Sequence, residues 1–140
     1  MIKRPINSIF CEKILAREKI STIRVKQWPL CTPIMLFSWE GKPYRSKHKD
    51  LAVITVQAII PIAIWRSPSN ALIYSYSKRQ GSCSEMSIFG KPLFRAEGFD
   101  SAEQMDEWFT KLLKKDESIN QSLMLFSLSN SFCNSQLNLP

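Results

Sequence analysis

The chain contains a single histidine, and its four cysteines, Cys11, Cys31, Cys83 and Cys133, stand too far apart to form a C-x-x-C pair. A zinc site lacks its ligand spacing here, and no metal or cofactor is expected. Long apolar runs are missing too. The most apolar region, LAVITVQAIIPIAIW (51–65), is shorter than a bilayer span and is broken by Thr55, Gln57 and Pro61. The first ten residues, MIKRPINSIF, are basic but lack the apolar stretch of a signal peptide. These absences lead us to expect no membrane segment, a cytoplasmic protein and reduced thiols. No internal repeat is visible.

What is present suffices for a folded domain. A chain of 140 residues, 44% hydrophobic and 22% charged, can bury a core and is too apolar for wholesale disorder. We expect one domain over residues 1–128, with 67–90 as a possible insertion and 129–140 as a flexible tail. The charge is uneven. Residues 1–50 hold eleven lysines and arginines against four acids, whereas residues 51–140 hold eight of each, so the whole net charge of +7 lies in the first third. Such asymmetry suits a polyanionic partner, nucleic acid first, although a basic surface without a partner has the same composition.

Hydrophobic spacing assigns the elements. Ile9, Phe10, Ile14 and Leu15 recur at helical intervals between Asn7 and Glu18, with Pro5 and Asn7 as start signals. ISTIRVK (20–26) then alternates, placing Ser21, Ile23 and Val25 on one side and Ile20, Thr22 and Arg24 on the other. PIMLFSW (33–39) and LAVITVQAII (51–60) read as strands, and Pro61 marks a bend. Residues 101–115 form the clearest helix: Ser101 and Gln104 make a capping box, and Met105, Trp108, Phe109, Leu112 and Leu113 form one apolar stripe. SLMLFSL (122–128) reads as a last strand. Helix, strands, helix and strand in this order predict a small α+β domain, or a partly open barrel with helices at its ends.

The chemistry gathers in EKISTIRVK (18–26). Lys19, Thr22 and Arg24 cluster at the start of a strand directly after a helix. A threonine hydroxyl becomes a useful nucleophile only when a base takes its proton, and lysine serves as that base when burial or nearby positive charge lowers its pKa. Arg24, on the strand face of Thr22, supplies such charge. The same three residues also suit an ion-paired, hydrogen-bonded barrel mouth.

ILAREKISTIR, followed by AEGFDSAEQMDEWF, resembles the ASCH domain, a relative of the RNA-binding PUA domain. Its signature is a helix, a Lys, a Thr three residues on, an Arg two after that, and later an E-G-F before a second helix. Lys19, Thr22, Arg24 and Glu97 fall on those positions, and the likeness covers roughly residues 6–128. Arg17 stands where a Gly is common in the family, two residues before the lysine. The resemblance implies a small PUA-like β-barrel with flanking helices, and a cleft where the strand after the first helix meets the loop before the second. Some members remove an acyl group from the exocyclic amine of modified cytidine, using a Lys, a Thr and a Glu. Carried over, Lys19 is the base, Thr22 the nucleophile, Glu97 the proton donor and Arg24 a substrate-binding residue. Others are thought to bind or cut RNA.

The loop GKPYRSKHKD (41–50) is the second feature. Lys42, Arg45, Lys47 and Lys49 surround Tyr44, a mixture in which cations hold phosphates while a ring stacks on a base. A solvated hairpin turn has the same look. Trp28 and Trp39 are expected in the core or at a barrel rim. The functional expectation is a domain binding RNA or a modified nucleoside. The alternatives are an amidohydrolase acting on acylated cytidine and a basic protein-interaction module.

Overall fold

Val, Ile and Thr crowd the middle of the chain, and their stiff side chains favour a pleated backbone. In the computed structural model, which describes residues 1–68, 72–76, 79–81, 87–88, 90–113 and 118–129, that region is one long strand. The elements run β1 (Ile2–Pro5), a 3-10 turn (Ser8–Phe10) leading into α1 (Cys11–Leu15), β2 (Ser21–Arg24), β3 (Pro33–Trp39) and β4 (His48–Arg66). They continue through β5 (Leu72–Tyr76), β6 (Arg79–Gly81), β7 (Ser87–Ile88), β8 (Lys91–Pro92), α2 (Leu93–Glu97), α3 (Ala102–Thr110) and β9 (Ser118–Leu128).

β4 is the spine. Along one edge its first half pairs with β3 and its last residues with β5, while its other edge carries β9 from Ile54 to Trp65, all antiparallel. β1 joins β3 in parallel, β6 extends β5, and β2 hangs on β9. β7 and β8 form a separate small ladder. Ile34, Leu36, Ile54, Ile64, Leu123 and Met124 of the sheet meet Ile14, Leu93, Met105 and Phe109 of the helices in one buried core.

This is the mixed α+β architecture expected, but the sheet is not closed into a barrel. Among the described residues β1 and β2 share no ladder. The reason lies in what flanks β2. The Ile20 amide, at its start, donates to the carbonyl of Ala96 in α2, 2.8 Å away. At its far end Arg24 Nη2 donates to the carbonyl of Pro5 at 3.0 Å, so a side chain bridges the seam where a ladder would close it.

Three local expectations are corrected. The first helix is shorter and tighter: Asn7 caps it, its side chain accepting from the Ile9 amide, yet only Phe10 and Ile14 are buried, and Ile9 and Leu15 flank the contact face in solvent. Pro61 does not bend the chain. β4 runs through it opposite Ser122, and among the described residues no ladder reaches Pro61 on the strand's other edge, where a strand tolerates a residue with no N–H to give. The irregularity sits earlier, at Gln57, where register with β9 shifts between Val56 and Ala58. Ile2–Pro5, given no element from the sequence beyond Pro5 as a helix start signal, is a strand.

α3 starts where expected but ends at Thr110, short of residue 115, and Leu112 beyond its end is exposed, while residues 114–117 lie outside the described residues. Ser101 Oγ accepts from the Gln104 amide at 3.1 Å, while the Gln104 side chain reaches back one residue further, to the Asp100 amide at 2.8 Å. Of the stretch 67–90, Leu72–Tyr76 pairs with β4, and the Tyr74 hydroxyl, from a buried ring, donates to Asp106 at 2.6 Å. Residues 69–71, 77–78, 82–86 and 89 of that stretch, and the tail 130–140, lie outside the described residues.

Candidate active site and nucleic-acid interface

Two matched helix endings bring the site together. α1 stops at Arg17, which has a φ of +63°; its amide bonds Ile14, and the Glu18 amide bonds Lys13. α2 stops the same way at Gly98, φ +96°, whose amide bonds Arg95 while the Phe99 amide bonds Phe94. Both are Schellman endings, which turn the chain sharply through one left-handed residue. One throws Lys19 inward and the other leaves Glu97 facing it. Glycine is required at the second. A Cβ on Gly98 would lie 3.0 Å from both Phe10 Cδ1 and Lys19 Cδ, quite apart from the backbone strain.

Lys19 is 3% exposed. Its Nζ donates to the carbonyl of Ser21 at 2.7 Å and to the carbonyl of Glu97 at 2.5 Å, lies 4.0 Å from Glu97 Oε1, and sits 4.6 Å from the centre of the Phe10 ring. Burial is the main force on its proton affinity. It pulls the pKa from 10.5 down to about 8, against the carboxylate of Glu97, with a smaller downward push from Arg24. The positive charge anticipated from Arg24 is thus real but secondary.

Glu97 is buried and accepts a hydrogen bond on Oε2 from the hydroxyl of Ser21, itself wholly buried. Thr22, also buried, accepts from Arg24 Nε at 3.1 Å, which leaves its own hydroxyl proton to give. The structure therefore brings Lys19, Thr22, Arg24 and Glu97 to one cleft of about 510 Å³. Phe10, Trp39, Phe99 and Trp108 supply aromatic walls above this polar floor, and Phe10 meets Phe99 and Trp108 edge-on at 5.3 and 5.6 Å. Trp108, from the apolar stripe of α3, is half-buried and lines the cleft.

The basic loop stands at one rim. Gly41 and Lys42 are tied back by the Ser46 hydroxyl, and the Glu40 amide closes the turn onto Lys47. Lys42, Tyr44, Arg45, Lys47 and Lys49 are all exposed. Rings connect them to the cleft: Tyr44 lies 5.2 Å from Trp39, and His48 stacks on Phe37 at 4.1 Å while meeting Trp39 edge-on. Trp28 is in the core, with the Arg24 guanidinium 5.1 Å from its ring centre.

Sequence reasoning missed Ser21 and the aromatic walls. Strict alternation put Ser21 on the side away from Thr22 and Arg24, yet in a strand with both sides covered a wholly apolar side is not needed, and a serine there marks a buried polar partner. Among the described residues no helix is long and apolar enough to cross a membrane. Comparison with protein-family models, with curated proteins and with solved structures gave no match.

Proposed function

We propose that the cleft binds RNA or a modified nucleoside, and that the chain is an ASCH-type domain with an opened PUA-like barrel. The observation carrying this reading is the pairing of aromatic walls with a buried floor of Lys19, Thr22, Arg24 and Glu97 in one cavity. Flat rings accept a base by stacking, and a floor offering both donors and acceptors reads its polar edge. The exposed cations of residues 42–49 extend the same surface toward phosphates.

A second reading, amide hydrolysis on N4-acylated cytidine, is favoured by the lowered pKa of Lys19 and by a Thr22 hydroxyl in the same cleft that keeps its proton to give. In its neutral form Lys19 spends two N–H groups on the carbonyls of Ser21 and Glu97 and keeps its lone pair for a proton. Thr22 Oγ1 attacks the acyl carbonyl and its proton passes to Lys19. Glu97 relays that proton to the departing amine as the C–N bond breaks, and water then cleaves the acyl-threonine ester. Arg24, bonded to the threonine oxygen, stabilises negative charge developing there.

One pair of variants tests both readings, with N4-acetylcytidine followed by calorimetry and by product release. If the cleft is catalytic, Thr22→Val still binds and turnover vanishes, and Lys19→Met behaves likewise. If it only binds, both variants lose affinity by about 1–3 kcal/mol and the parent shows no turnover. Parent-like behaviour of both variants places the site elsewhere. Salt-dependent binding to an acidic protein but not to RNA replaces both readings with a protein-interaction module.

A further inference from the structure

Arg24 faces two cavities. Besides the cleft, it lines a second hollow of about 370 Å³ together with Arg4, Val25, Lys26, Gln27 and Trp28. Three of those six side chains are cations and none is acidic. Their hydrogen-bonding capacity is incompletely used. Arg24 spends Nε on Thr22 and Nη2 on Pro5, leaving Nη1 without a partner among the described residues, although the guanidinium is largely buried against Trp28. Arg4 spends only Nη1, on the carbonyl of Lys3, and Lys26 is exposed with no ion pair among the described residues. Gathered cations with spare donors attract an anion, and a rigid guanidinium fork suits the oxygens of a phosphate. Because the two hollows share Arg24, an anion in the second is bound next to whatever fills the first.

We infer that the hollow of Arg4, Arg24 and Lys26 is a phosphate subsite, so that the ligand of the cleft is a nucleoside carrying a phosphate rather than a free nucleoside. This rests on the nucleoside reading of the cleft and narrows it. The phosphate is the terminal monoester of a nucleotide or a backbone diester of RNA, and the ligands below separate the two.

The test is calorimetric titration of the full chain with N4-acetylcytidine, its 5′-monophosphate, a single-stranded RNA trinucleotide without terminal phosphates, and ribose 5-phosphate. At least one of the phosphorylated nucleosides is expected to bind tenfold or more tightly than the bare nucleoside. A gain for the monophosphate alone identifies a monoester, and a gain for the trinucleotide alone identifies a diester. The advantage, read as the ratio of the two affinities in each variant, should fall several-fold in Arg4→Ala and in Lys26→Ala and be retained in Lys26→Arg. Lys26 is exposed, so its variants keep the test open if Arg4→Ala does not fold. Equal affinities for nucleoside and phosphorylated ligands overturn the subsite and leave the cleft reading standing. Binding of ribose 5-phosphate, dependent on Lys26, with no nucleoside binding keeps the subsite and overturns the cleft reading. Binding of none of the four overturns both.

Discussion

The Ser21 hydroxyl donates to Glu97 Oε2, joining β2 to the end of α2 inside the protein. A buried carboxylate needs its donors, and this one is supplied by a side chain with no other visible task. Ser21→Ala removes it while keeping the strand. We expect a loss of about 1–3 kcal/mol of stability, the cost of a buried acceptor left short of a partner, measurable by urea unfolding at neutral pH. An unchanged midpoint would mean that Glu97 finds its proton donor elsewhere.

Lys19 makes stability depend on pH in an unusual direction. Its pKa falls from 10.5 to about 8 in the folded protein, chiefly through burial. Between those values the unfolded chain holds a proton that the folded chain has released, so stability rises with pH. The contribution is complete above 10.5 and is lost as the pH falls through 8, a swing of about 3 kcal/mol. The unfolding free energy of the parent should rise relative to that of Lys19→Met from pH 7 to 10.5. A parent that weakens relative to the variant over this range contradicts the burial argument.

Gly98→Ala tests the turn that aims Glu97. The new methyl meets Phe10 and Lys19 at 3.0 Å, on a backbone with φ of +96°. Left-handed strain and overpacking together predict a loss of about 2–4 kcal/mol. Thermal unfolding followed by circular dichroism reads it directly, and a melting temperature within a degree of the parent's would show that the turn relaxes freely.

The basic rim is tested with salt. Lys47→Glu combined with Lys49→Glu leaves the turn's hydrogen bonds intact, since those run through Ser46 and backbone groups. RNA binding should weaken, and its dependence on salt should flatten because fewer counterions are released. The same slope in parent and variant removes residues 47 and 49 from the interface.

What the sequence disclosed followed from local rules. The third helix was legible because Ser101, Gln104 and the apolar spacing after them agree with one another. β3 and β9 were legible as apolar runs, although β9 begins at Ser118, ahead of its apolar portion. Lys19, Thr22 and Arg24 could be grouped because Lys19 stands two residues ahead of the short strand that carries the other two, too close in sequence to lie far away. Glu97 could not be placed by spacing, since its approach to Lys19 depends on two helix endings and on the bond from Ile20 to Ala96. The ending at Arg17 was masked by its residue type: a left-handed turn is easily suspected at glycine and hardly at arginine. The aromatic walls were invisible for a related reason. Phe10, Trp39, Phe99 and Trp108 come from four separate segments, and each alone reads as core.

Among the described residues β2 has a single strand partner, β9, made almost a hundred residues later in the chain. While the protein is being synthesised, the segment with Lys19, Thr22 and Arg24 therefore emerges long before the strand that will hold it. Contacts of such sequence separation form slowly, because much chain must be ordered before they repay it. The polar floor is thus among the last parts of the fold to be completed. A nascent chain ending before β9 holds the residues of β1, β3, β4 and β5 but lacks the ladder that anchors the strand carrying Thr22 and Arg24, so the proposed cleft is complete only once the last strand has been made.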